Sequence, residues 1–82
     1  DFRFNLALAL YKGGRVLESG AELQKVVAAK PDHRSARLLL GDVLLRQGRF
    51  QDVIDLLAPW EEEFGTDRGF AYVLGSAFIA TM

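Results

Sequence analysis

The stretch RLLLGDVLLRQGRF, residues 37–50, follows the same pattern as RFNLALALYKGGRV, residues 3–16, which stands thirty-four positions earlier. The pairs that match without a gap include Arg3 with Arg37, Leu6 with Leu40, Leu10 with Leu44, Gly14 with Gly48 and Leu23 with Leu57. A third copy follows in the same register and runs to Met82. A unit of this size cannot bury its apolar face alone, so neighbouring units must stack and share one core. We therefore expect the function on a surface rather than in a catalytic pocket.

Each unit is predicted to be two helices separated by a glycine turn. Apolar periodicity and helix breakers predict helices over residues 2–12, 16–29, 35–46, 50–64 and 69–80. Breaks are expected at Gly13-Gly14 and at Gln47-Gly48, because glycine ends helices. Pro59 lies inside the fourth predicted helix and should bend it. The fifth helix has no partner in this sequence, so something else must bury it.

These units resemble the tetratricopeptide repeat. The second unit supplies the family's large and small positions with Leu40-Gly41, Leu44, Gly48, Phe50 and Leu57. It departs from the family pattern at Arg37, where a large aromatic residue is preferred, and at Gly65, where Pro is preferred. The resemblance implies an all-α fold of antiparallel helix-turn-helix repeats stacked as an α-solenoid. A single domain over residues 1–82 would then contain one repeat over 1–33, a second over 34–67 and the first helix of a truncated third over 68–82.

The first helix of each unit is apolar nearly all round, whereas the helix over residues 16–29 has one apolar face. In tetratricopeptide arrays the uncovered side of the first helices lines a concave groove. By that resemblance the groove residues are Phe4, Asn5, Leu8, Tyr11, Leu38, Asp42, Leu45, Tyr72, Ser76 and Ile79. The alternative interpretation is that this apolar stripe is ordinary packing between helices.

A groove of this composition implies a protein-protein interaction module that binds an apolar or amphipathic peptide or helix. Some tetratricopeptide domains instead hold a carboxylate with Lys, Asn and Arg side chains. The corresponding positions here are Phe4, Leu8, Leu39, Gly69 and Val73. None of them carries such a side chain, so that ligand is not expected.

Two other functions remain open. The first is self-association, which would make the isolated chain a homo-oligomer, because its last helix lacks the polar cap that a solenoid end requires. The apolar residues of that end are Phe70, Phe78, Ile79 and Met82. The second is an accessory segment of a larger enzyme.

Charge is unevenly distributed along the chain. Residues 1–50 contain nine Lys or Arg against five Asp or Glu, and residues 51–82 contain one against six. Copies meeting head to tail would bring basic residues such as Arg37 against Glu61 to Glu63 of a neighbour. The chain as a whole has a net charge of -1, and it lacks the basic footprint of a nucleic-acid-binding protein, so we expect no nucleic-acid partner.

No residue pattern predicts catalysis, a metal site or a bound cofactor. Cysteine is absent, and His33 is the only histidine and is expected to be an exposed linker residue. No apolar run reaches the ~18 to 20 residues of a membrane span. Because the chain begins with Asp1 rather than Met, we expect it to be a piece of a longer protein, and the sequence predicts no compartment.

Overall fold

The computed structural model describes residues 2–82 and consists there of helices joined by short turns. The helices are α1 (Phe2–Lys12), α2 (Val16–Ala29), α3 (Arg34–Arg46), α4 (Phe50–Leu57), α5 (Glu61–Phe64) and α6 (Arg68–Ala80). Helices α1 to α4 pack in succession, and α6 packs on both α3 and α4. The prediction of an all-α helical repeat fold is confirmed. Asp1, with which the first predicted repeat begins, lies outside the described residues.

The two turns within repeats have the same backbone geometry. Gly14 and Gly48 have φ values of 82° and 74°, a left-handed conformation that glycine adopts without a steric penalty. The next amide in each case bonds back to the helix, from Arg15 to the Leu10 carbonyl at 2.8 Å and from Arg49 to the Leu44 carbonyl at 3.0 Å. This is the Schellman arrangement, which satisfies carbonyl groups at a helix end.

The predicted fourth helix is interrupted rather than only bent. A 3-10 turn at Ala58–Trp60 separates α4 from α5. The cause is Pro59, which has no amide hydrogen to donate to the carbonyl of Asp55. The break also frees carbonyl groups at the end of α4, and the carbonyl of Leu56 accepts a hydrogen bond of 2.7 Å from Nη1 of Arg37.

Arg37 is a buried residue that ties α3 to the turn before it and to the end of α4. Its side chain donates from Nε to the Pro31 carbonyl at 2.9 Å, and its guanidinium lies 4.6 Å from the ring centroid of Trp60. Only 7% of the residue is exposed, and burial lowers the pKa of the guanidinium from its ordinary value. The expectation that Arg37 faces a neighbouring copy is therefore wrong, because an arginine with these partners stabilises its own chain.

The core runs through the repeats at equivalent positions. Leu40 and Leu74 are 4% and 3% exposed, whereas Leu6, the equivalent residue on α1, is 41% exposed. Gly41 sets the spacing between α3 and α4, since a Cβ there would approach the Cδ1 of Leu57 to 3.0 Å. Small residues therefore allow the close helix packing on which the solenoid depends.

The last helix is covered on one side only. Phe70 is 1% exposed and packs edge to face against Phe64 at 6.0 Å between ring centroids. The prediction that Phe70 belongs to an exposed apolar end is therefore wrong. Phe78, Ile79 and Met82 are exposed, as predicted.

Candidate functional site: an apolar groove on the first helices

A groove of about 370 Å³ runs across α1, α3 and α6. It is lined by Phe4, Leu8, Ser35, Leu38, Leu39, Asp42, Gly69, Tyr72 and Val73. Side chains from three helices meet here because residues spaced thirty-four positions apart lie side by side. Leu38 and Tyr72, for example, occupy the same repeat position thirty-four residues apart.

The structure brings half of the predicted groove residues together. Phe4, Leu8, Leu38, Asp42 and Tyr72 line the groove. Tyr11 adjoins them through a hydrogen bond to Asp42. The remaining four do not belong to the lining: Asn5 and Ile79 are exposed, and Leu45 and Ser76 are half-buried.

Four lining residues were not among the predicted groove residues: Ser35, Leu39, Gly69 and Val73. Two of them could have been predicted from the repeat spacing. Leu39 and Val73 stand thirty-four and sixty-eight residues after Asn5, which was a predicted groove residue. All five positions at which related domains clamp a carboxylate lie in this groove. These positions hold apolar residues or glycine here. The lining of the groove therefore contains no cationic side chain that could bind an anionic group.

Asp42 is the one charged residue that lines the groove, and two neighbours hold it in place. Its Oδ2 atom accepts hydrogen bonds from the Tyr11 hydroxyl and from Nε of Arg46 at 3.3 Å. The Arg46 guanidinium also lies 5.3 Å from the centroid of the Tyr11 ring. The hydrogen bond to Asp42, followed by burial, raises the pKa of the Tyr11 phenol. Both bonds use Oδ2, so the hydrogen-bonding capacity of Oδ1 is not used by this network.

His33 supports one end of the groove rather than lying free in a linker. Its Nδ1 atom accepts a hydrogen bond of 3.2 Å from the amide of Ala36 and so caps the start of α3. Its ring lies 4.9 Å from the ring of Phe4, a groove residue. The prediction of an exposed residue is therefore wrong, since His33 is half-buried. Asp67 caps α6 at the equivalent position through bonds from Gly69 and Phe70.

Two further properties concern the described part of the chain. Within residues 2–82, no group of three His, Asp or Glu side chains is arranged to hold a metal ion. None of the helices there has both the length and the apolar content needed to cross a membrane.

Comparisons with known proteins agree with the repeat architecture. The Tetratricopeptide repeat family model matches residues 4–58, which is more than half of the chain and includes the first two glycine turns. No curated protein and no solved structure matches the sequence. This match covers two helix pairs that have the same glycine turn. The chain therefore belongs to the tetratricopeptide repeat family.

Proposed function

We propose that this chain is an interaction module that binds an apolar or amphipathic segment of a partner protein in the groove across α1, α3 and α6. Tetratricopeptide repeats generally mediate protein-protein interaction and are typically non-catalytic. The observation that carries the finer proposal is the composition of the groove, in which the aromatic and aliphatic residues Phe4, Leu38 and Tyr72 surround one carboxylate.

Exposure of these side chains supports the proposal energetically. Tyr72 is 70% exposed, and Phe4, Leu8 and Leu38 are each only partly buried. Covering a large apolar side chain gains roughly 1.5 to 3 kcal/mol, so an apolar ligand that covers several of them would gain a useful affinity. An acidic ligand would meet the carboxylate of Asp42 instead of a cation.

A labelled helical peptide with Leu at every third or fourth position and Gln or Ala elsewhere is a suitable probe. Tyr72→Glu should weaken its binding about tenfold or more, measured by fluorescence anisotropy. Ile79→Glu is the matched control, because Ile79 lies on the same helix, is 72% exposed and does not line the groove. Equal loss of binding in both variants would contradict the assignment of the groove.

A second candidate is self-association through the apolar residues of α6. The observation in its favour is that Phe78, Ile79 and Met82 are 45%, 72% and 100% exposed. Static light scattering over a range of protein concentrations tests it, since self-association would raise the mean mass with concentration. A constant monomer mass at high micromolar concentration would exclude this candidate and leave the groove free for a different protein.

A further inference from the structure

The groove presents a single charge to a bound segment, the carboxylate of Asp42 on α3. The residues at the equivalent positions are Leu8 on α1 and Ser76 on α6, and neither is charged. Apolar side chains of the two other helices, among them Leu8 and Tyr72, line the groove together with Asp42. A segment that lies across the three helices therefore meets one negative charge among apolar residues.

The bonds that hold this carboxylate leave part of it free for a ligand. The hydroxyl of Tyr11 and Nε of Arg46 both donate to Oδ2. Among residues 2–82, Oδ1 has no hydrogen-bond donor, although each oxygen of a carboxylate can accept hydrogen bonds. The Asp42 side chain is 29% exposed, so a ligand can reach it.

Arg46 is a weak partner for Asp42. Its Nε lies 3.3 Å from Oδ2, and its side chain is 62% exposed. The pair of Arg49 and Asp52 has a distance of 2.7 Å, which is the usual length of a charge-assisted hydrogen bond. A long and exposed ion pair contributes little, because water screens it. Arg46 therefore leaves Asp42 able to bind a second cation.

A cation fits this position better than the other possible groups of a ligand. Once a bound segment excludes water, Oδ1 needs a donor, since covering a charged oxygen without a hydrogen bond is costly. An acidic side chain would be repelled by Asp42. A neutral donor would form the hydrogen bond without the attraction between opposite charges, whereas Lys or Arg provides both. The lining of the groove contains no cation that would repel such a side chain.

We infer that the segment bound in the groove carries one Lys or Arg among its apolar residues, an inference that rests on the proposed function of the groove. This cationic side chain donates a hydrogen bond to Oδ1 of Asp42. The apolar residues of the same segment cover Leu38 and Tyr72. Asp42 is thus the residue that determines which apolar segments the groove prefers.

A set of labelled helical peptides tests this preference with the full 82-residue chain. The parent peptide has Leu at every third or fourth position and Gln or Ala elsewhere. Each further peptide carries one Lys, or one Glu, at one of the Gln positions. At low salt we expect the best Lys peptide to bind about three- to tenfold more tightly than the parent in fluorescence anisotropy, as one partly exposed ion pair allows. The peptide with Glu at the same position should bind more weakly than the parent.

Variants of the protein show whether Asp42 causes the preference. Asp42→Asn keeps the shape of the side chain and removes its charge, so it should abolish the advantage of the Lys peptide over the parent. Asp52→Asn is the matched control, because it makes the same change on α4 outside the groove and should leave the advantage intact. Arg46→Gln should increase the advantage, since it removes the competing cation, and it provides a test even if Asp42→Asn does not fold. Arg49→Gln is its matched control.

Three results would overturn the inference. If the parent and Lys peptides bind equally and Tyr72→Glu weakens both, the groove stands as a binding site but its partner needs no cation. If Asp42→Asn and Asp52→Asn reduce the advantage equally, or Arg46→Gln leaves it unchanged, the attraction does not arise at Asp42. If no peptide binds the wild type, the proposed function of the groove and the inference are both wrong.

Discussion

The phenol of Tyr11 donates a hydrogen bond to the carboxylate of Asp42 and thereby joins α1 to α3 across the repeat boundary. The same carboxylate oxygen accepts from Arg46, so the three side chains fix the polar end of the groove. Hydrogen bonds to a charged group are stronger than those between neutral groups. Removing this hydrogen bond therefore tests how much it contributes to the packing of α1 on α3.

Tyr11→Phe should lower the free energy of unfolding by about 1 to 2 kcal/mol at neutral pH. This loss of unfolding free energy should become smaller as the pH rises. The pKa of Tyr11 is raised in the folded chain, so the unfolded chain loses this proton first, near pH 10. The bond contributes fully below about pH 10, and its contribution is lost as pH rises through the folded-state pKa.

Urea denaturation of the wild type and of Tyr11→Phe between about pH 8 and pH 11 measures this difference. The gap in unfolding free energy should be constant at the lower end and should shrink toward the upper end. Tyr72→Phe is the control, because the Tyr72 side chain is 70% exposed. A gap that grows with pH would contradict the assigned role of Tyr11.

Arg37 and Arg3 occupy the same repeat position, but substitution of Arg37 should destabilise the protein far more than substitution of Arg3. Arg37→Met leaves the carbonyls of Pro31 and Leu56 without their donor and should lower the free energy of unfolding by about 2 to 4 kcal/mol. Arg3 forms an ion pair with Glu22 at 2.9 Å, and the Arg3 side chain is 49% exposed, so Arg3→Met should cost only about 0 to 1 kcal/mol. Equal losses in thermal denaturation would mean that burial of Arg37 contributes nothing.

Leu40 and Leu6 form a second matched pair in the core. Leu40 is 4% exposed, and Leu6 is 41% exposed. Leu40→Ala should cost about 2 to 5 kcal/mol because it opens a cavity between packed helices. Leu6→Ala should cost no more than about 1 kcal/mol, since much of that side chain already contacts water. Chemical denaturation should rank the two variants in this order.

His33 caps α3 through an acceptor nitrogen, and its replacement by Ala should cost about 1 kcal/mol. His33→Asp should recover most of that loss, because Asp67 caps α6 in the same way one repeat later. An aspartate also places negative charge at a helix N-terminus, which is favourable. If His33→Asp unfolds as easily as His33→Ala in urea, the cap does not explain the role of His33.

Helix boundaries could be predicted closely because they depend on local chemistry. Gly14 and Gly48 end the first helices at the predicted positions, since a left-handed residue stops a helix whatever surrounds it. The start of α3 at Arg34 differs from the prediction by one residue. The cap of His33 explains this, but a histidine is a weak capping signal in a sequence. Half of the groove residues were also predictable, because the repeat register places Phe4, Leu38 and Tyr72 side by side.

By itself the sequence determined the repeat period, the glycine turns and the apolar character of the first helices. These properties follow from residue spacing and from backbone preferences within a few positions. Only the tertiary structure decided that Arg37 is buried, that Tyr11 reaches Asp42 and that Gly75 is open where Gly41 is covered. Each of these depends on side chains that are far apart in the chain and meet only after the helices stack. The carbonyl group of Leu56, at the break that Pro59 causes, can bind an arginine on α3 only when packing has placed the two within hydrogen-bonding distance.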